Sequence, residues 1–328
     1  MTSVHAAAVA RGVNTDPVEG RGQVRFLTAL VRELERSLTG ADARARALAL
    51  APDAKRVRPR LLFELATALG VDPDERALVC AAVAIELIHT ASLIHDDVID
   101  VATTRRGLPS VNAELGNAAA VLVGDEVLCR ALDAVGGVAQ GALVAPCVAA
   151  VAAMTRGALR EIEAGGDLRL DDDGWRAIAA DKTGALFGLC GTLAALLAGD
   201  TDRVARFTDA TRALGVAFQA ADDVADLADG SDLEEKNPNL AVLCAARADP
   251  ALAARLLRAW ARPRLAAGER ARLVDDVVAT PGVLGAIAVA EAALARARAG
   301  FGDDVAKAGV RRALEVGARF VALAREAR

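Results

Sequence analysis

The sequence predicts an all-α protein. Apolar residues recur at helical spacing along nearly all of the 328 residues, alternating β-branched runs are scarce, and tyrosine is absent. A chain of this length can bury a large core, and no Pro/Gly/Ser-rich linker interrupts it, so residues 21–328 read as one large helical bundle. Residues 1–20 lack an apolar core of signal-peptide length and read as a frayed tail.

Start and stop signals divide the bundle. Gly40 closes a helix running from about Gln23 to Leu38, and Asp72-Pro73 supply the cap and first turn of a helix reaching Ile99. Ala102–Gly116 reads as a polar loop. Apolar helices follow from about Ala118 to Ile162 and from Asp172 to Leu197, with Gly165-Gly166 breaking the pattern between them. Thr201 caps a helix reaching Ala228, Gly230–Asn239 forms a charged loop, and Ala- and Arg-rich helices fill the rest. The uncharged stretch Ala134–Met154 is long enough to raise a membrane span. It is mostly Ala, Gly and Val, is interrupted by Gln140 and Pro146, and lacks aromatic belts and basic flanks, so it reads as buried helix, or two helices meeting near Gly141.

Net charge −5 and a pI near 5.4 exclude the broad basic surface that a nucleic-acid binder needs. The five cysteines are widely spaced in apolar text with no CxxC pair, which predicts reduced core residues and a cytoplasmic location.

Two copies of one acidic pattern stand out, Asp96-Asp97-Val98-Ile99-Asp100 and Asp222-Asp223-Val224-Ala225-Asp226, each at the end of a long apolar helical stretch. Residues i and i+4 share a helix face, so Asp96 converges with Asp100 and Asp222 with Asp226, and the second aspartate of each copy adds a third carboxylate. Other Asp pairs, such as Asp275-Asp276, lack the third residue and read as solvated helix starts or loops. Such crowding needs cations, and oxygen-only donors favour magnesium completed by substrate phosphates. The six aspartates are the candidate metal ligands.

Lysine use sharpens the reading. Only Lys55, Lys182, Lys236 and Lys307 occur among 39 Lys plus Arg. Three sit beside candidate chemistry: Lys55 in Lys55-Arg56-Val57-Arg58-Pro59, Lys182 in Lys182-Thr183-Gly184, and Lys236 in the loop after the second acidic pattern. His89 lies two turns before Asp96 on the same face and can donate to a phosphate, whereas His95 is expected to pack or orient an aspartate. Gln219 precedes Asp222 by three residues, which places it beside the second carboxylate cluster.

In order along the chain, Lys55-Arg56-x-Arg58-Pro59, His89 to Asp100 with Arg105-Arg106-Gly107, Gly124-Asp125, Lys182-Thr183-Gly184 and Phe218-Gln219-x-x-Asp222-Asp223-x-x-Asp226 resemble the trans-isoprenyl diphosphate synthase (polyprenyl synthetase) family. The resemblance implies an all-α isoprenoid-synthase bundle with a central active-site cavity. It also implies head-to-tail condensation of isopentenyl diphosphate with an allylic diphosphate, with three magnesium ions in the substrate-bound state and a homodimer. Diphosphate leaves, the allylic cation is attacked by the isopentenyl double bond, and a proton is lost, to the same pyrophosphate, in a site that excludes water. By the same resemblance Lys55, Arg58, His89 and Arg106 bind isopentenyl diphosphate, and Arg105, Lys182, Gln219 and Lys236 contact the allylic diphosphate. Thr183 helps stabilise the cation, and Phe218 faces the reacting carbons.

This sequence departs from the family pattern in places. Asp53-Ala54 replace a Gly-Gly, Glu161 stands where Gln is common, and the loop after Asp226 offers one lysine, Lys236, where two are usual. Product length in the family is set by bulk beneath the first acidic pattern. Ala91 and Ser92 are small and lie roughly 6–7.5 Å below Asp96 at helical rise, which predicts an all-trans product longer than about twenty carbons. Leu122, Leu128 and Met154 are candidate lower walls. A short-chain synthase, a class I terpene cyclase and a regulatory subunit of a heteromeric synthase are the competing readings. A metal phosphohydrolase lacks the further histidines it would require.

Overall fold

The computed structural model describes residues 17–228, 230–266 and 268–326, with the side chains of residues 17–19 and 140 outside the description. The expected tail therefore lies mostly outside the described residues, as does His5. Among those described the fold is helical, with one two-stranded antiparallel hairpin. In chain order the elements are α1 Pro17–Ser37, α2 Ala43–Ala49, α3 Val57–Ala68, α4 Arg76–Ile99, β1 Thr104–Arg105, β2 Leu108–Pro109, α5 Val111–Leu115, α6 Asn117–Gly136 and α7 Val144–Ala164. They continue with α8 Asp172–Lys182, α9 Gly184–Leu197, α10 Val204–Ala225, α11 Ser231–Glu235, α12 Leu240–Ala248, α13 Pro250–Trp260, α14 Glu269–Val278, α15 Gly282–Phe301 and α16 Ala308–Glu326.

The chain divides into two compact units, Met1–Val151 with Leu189–Ala205, and Ala152–Gly188 with Arg206–Arg328. In the first, α4 is the central helix. Leu78, Val83, Ala84, Ile85, Leu87 and Ile94 are fully buried, and α1, α3, α5 and α6 pack around it. Its long apolar window matches a membrane span in length, but 78% of that window is buried, as befits a core helix. In the second unit, α12, α15 and α16 pack together over a core that includes Val242, Leu243, Ala286 and Phe320.

Several boundaries moved for local reasons. α1 begins at Pro17, suited to the first helical turn because proline has no N–H to leave unpaired. Asp72 caps a turn at Asp74 instead of the helix, and α4 starts at Arg76. Asp200, not Thr201, accepts the hydrogen bond that starts a short 3-10 turn before α10. The uncharged stretch holds two helices separated by a 3-10 turn at Ala139–Gly141, where Gly141 has φ +76°. The expected Asp172–Leu197 helix breaks at Thr183, beside a close approach where Gly184 and Gly215 meet with no room for a Cβ on Gly215. Of the cysteines, Cys80, Cys147 and Cys190 are buried as expected, whereas Cys129 is exposed and Cys244 half-buried.

Candidate functional site

The first acidic pattern occupies the last turn of α4. Asp96 and Asp97 are among its closing residues, and Asp100 is the C-cap, its N–H bonded to Asp96 O at 2.8 Å. Carboxylates here meet the negative end of the helix dipole, so the placement costs free energy unless cations offset it. For the middle residue the offset is on the chain: Asp97, 1% exposed, accepts from Arg105 through Nε at 2.8 Å and again through its terminal nitrogen. Asp96 is half-buried and Asp100 exposed.

Arg105 is held by structure that the sequence reading took for loop. Thr104-Arg105 pair with Leu108-Pro109, and Arg106 (φ +53°) and Gly107 (φ +75°) form the two-residue turn that hairpins prefer. Two-residue strands carry too little alternation to detect. The turn separates the two arginines: Arg105 clamps Asp97, while Arg106 donates to Leu48 O at 3.1 Å.

The basic cluster surrounds His89. Burial, then the charges of Arg58, Arg106, Arg105 and Arg56, push the His89 imidazole well below its ordinary value, so it is neutral at pH 7 and keeps one N–H to donate. Arg56 itself serves the fold. It sits in left-handed conformation before α3, and its buried guanidinium pairs with Glu86 and donates to Ala49 O. Glu86 was legible as the only acid in α4 before Asp96. Lys55 and Arg58 are half-buried at the start of α3. His95 packs as expected: a Cβ on Gly124 would fall 2.2 Å from its Nε2, which lies 3.2 Å from Val121 O and 3.4 Å from Asp125. Beneath the pattern, Ala91 is buried and Ser92 donates to His89 O at 2.9 Å. Leu122 is 69% exposed, which removes it as a buried wall, while Leu128 and Met154 are half-buried.

In the second unit, α10 ends at Ala225, with Asp222 and Asp223 in its last turn and Asp226 opening a 3-10 turn. The middle residue is again buried, at 5% exposure, but its partners are neutral. Trp175 Nε1 donates to Oδ2 at 3.1 Å, Leu240 N to Oδ2 at 2.7 Å, and Gln219 Nε2 to Oδ1 at 2.8 Å. Burial, with Asp232 nearby, pushes this carboxyl up to about 8, against the opposing hydrogen bonds from Leu240 and Gln219. Asn239 ties the same turn down, donating to Asp223 O and to Asp232, both at 2.7 Å. Trp175 and Asn239 escaped the sequence reading, because a packing tryptophan and a helix N-cap carry no chemical signature of their own.

Gln219 bridges the elements, with Nε2 on Asp223 and Oε1 accepting from the Thr183 hydroxyl at 2.5 Å. Lys182 ends α8 and pairs with Glu161 of α7. Asp222 is half-buried and Asp226 exposed. The Lys236 ammonium donates to Trp260 O at 2.7 Å and Arg262 O at 3.2 Å, closing the end of α13. Phe218 stacks between Phe187 (5.4 Å) and Phe320 (4.5 Å) in an aromatic row.

Among the described residues no three His, Cys, Asp or Glu side chains converge into a ready-made metal cluster. Magnesium does not require one, since it keeps waters and takes one or two carboxylates with substrate phosphates. Oxygen-only donors at two helix C-termini fit that chemistry through the accessible outer pairs Asp96/Asp100 and Asp222/Asp226. Of the two middle aspartates, Asp97 gives one oxygen, Oδ1, to Arg105, while both oxygens of Asp223 accept from Trp175, Leu240 and Gln219.

Residues 44–277 match the family model described as polyprenyl synthetase. An octaprenyl diphosphate synthase of Haemophilus influenzae is 34% identical over 235 residues, 69% of this chain and 70% of that protein. A nonaprenyl diphosphate synthase of Mycobacterium tuberculosis is 37% identical over 185 residues, 56% of this chain and 55% of the relative, so the match spans about half of that protein. A polyprenyl synthase of Caulobacter crescentus, solved with calcium and isoprenyl diphosphate, superposes with TM-score 0.79 at 28% identity, covering 92% of this chain and 96% of that one. The chain belongs to the polyprenyl synthetase family of all-α prenyltransferases.

Proposed function

We propose that this protein condenses isopentenyl diphosphate head-to-tail with an allylic diphosphate, giving an all-trans product longer than about twenty carbons, since helical rise leaves small residues beneath the first acidic pattern. The carrying observation is the duplicated acidic pattern, each copy closing a helix with its outer carboxylates accessible and its middle one locked. Lys55, Arg58, neutral His89 and Arg106 take the isopentenyl diphosphate, the three cations by charge and His89 by its N–H. Arg105 and Lys182 offer charge to the departing allylic diphosphate. Gln219 orients Thr183, whose carbonyl and hydroxyl oxygens are the dipoles nearest in sequence to Lys182. Asp96 with Asp100, and Asp222 with Asp226, would each hold magnesium, which when bound supplies Lewis-acid stabilisation of the leaving group.

The length assignment is supported by small, buried Ala91 and by relatives named for octaprenyl and nonaprenyl products. We further infer a cytoplasmic homodimer in which residues 21–328 work as one domain, supported by the exposed apolar Val121 and Leu122 on α6. Incubation with isopentenyl and farnesyl diphosphates tests the reading. Long-chain products support it, products stopping at about twenty carbons overturn the length, which rests on the small side chains near helical rise, and turnover without isopentenyl diphosphate would indicate a cyclase.

A further inference from the structure

We propose that Glu161 is a positioning residue that holds the Lys182 ammonium and sets how strongly it takes an allylic diphosphate. The inference rests on the function proposed above. One face of α7 grips the end of α8. Gly157, Arg160 and Glu161, at i, i+3 and i+4, share that face. Gly157 lets the helices touch backbone to backbone: a Cβ there would lie 2.3 Å from Lys182 N and 2.7 Å from its Cα. Arg160 donates to Asp181 at 2.8 Å, and Arg212 pairs with the other oxygen of that buried carboxylate. The helix end is thereby fixed, and the Lys182 side chain, 32% exposed, runs to the Glu161 carboxylate, 23% exposed.

The family resemblance places a Gln at this position. An amide could hold the ammonium through one hydrogen bond without competing for its charge. A carboxylate holds it more strongly and repels an incoming diphosphate. Glu161 therefore trades diphosphate affinity for a pre-aimed lysine.

Glu161→Gln keeps the anchor and removes the charge. A half-buried pair of this kind is worth about 1 kcal/mol, so Kd for inorganic pyrophosphate and KM for farnesyl diphosphate should each fall about fivefold with kcat unchanged. Glu161→Ala removes the anchor as well and should lower kcat. Pyrophosphate affinity is read by calorimetry with and without magnesium, and urea midpoints check that both variants fold. An unchanged or weaker pyrophosphate Kd in the Gln variant overturns the proposal, as does an Ala variant with wild-type kcat. A wild-type chain that binds pyrophosphate yet makes no prenyl product would instead sink the functional reading and leave the calorimetric comparison standing.

Discussion

The two acidic patterns share spacing and position at a helix C-terminus, yet they bury their middle aspartate differently. Asp97 is neutralised by a guanidinium carried on a hairpin directly downstream, whereas Asp223 is wrapped by an indole, an amide and a backbone N–H gathered from α8, α10 and α12. The first solution is a charge pair built from sequence neighbours, and the second a neutral hydrogen-bond cage that depends on tertiary packing. The same motif therefore yields one carboxylate compensated by a cation and another whose proton affinity is raised.

If the outer aspartates do chemistry and the middle ones build, substitutions should separate. Asp96→Asn and Asp222→Asn should each lower kcat by about 10²–10⁴-fold with little change in urea midpoint, and chelation should abolish turnover while leaving the helical circular dichroism intact. Equal loss of stability at outer and middle positions would erase the distinction. Arg105→Met should act on the fold, because it leaves Asp97 buried beside no cation. We expect a loss of about 3 kcal/mol in urea unfolding, with no counterpart in the second pattern, where no single cation carries the load.

The legibility of the site follows the same divide. Helix content and the two acidic patterns are local, so spacing exposed them, with His89 and His95 on the same helix as the first; Arg105 lies only eight residues from Asp97, but the two-residue strands that aim it read as loop. The cage around Asp223 draws on residues 48 positions upstream and 17 downstream, and no local pattern announces it. The contacts of Lys236 are hidden for a related reason. The carbonyls its ammonium reaches lie 24 and 26 residues on, beyond any local pattern. Boundaries shifted where an Asp capped a turn instead of a helix, as at Asp72, because one side chain can satisfy either set of N–H groups.

The raised Asp223 value gives the contrast a pH dependence. Between the ordinary value of 3.8 and about 8, the folded chain keeps a proton that the unfolded chain releases. This group's contribution therefore falls as pH rises through that window and levels off above it. An amide in its place cannot titrate. In chelator, the stability of Asp223→Asn relative to the parent should grow with pH across that window, by up to about 1.4 kcal/mol per pH unit in urea unfolding. A parent that gains on the variant as pH rises would mean that the three donors outweigh burial and hold the carboxylate ionised.

The smallest expected effect separates the cage from its packing. Trp175→Phe keeps an aromatic ring in a buried position and deletes one donor to Asp223 Oδ2, leaving Leu240 N and Gln219 in place. One neutral hydrogen bond contributes about 1 kcal/mol. An N–H favours the ionised acceptor, so its loss should push the Asp223 carboxyl further up, and the cost should be larger at pH 9, where the carboxylate must be buried charged, than at pH 5. A cost equal at both pH values would assign the indole to packing alone. The second aspartate would then rest on two donors, leaving it still more dependent on its proton than Asp97 is on Arg105.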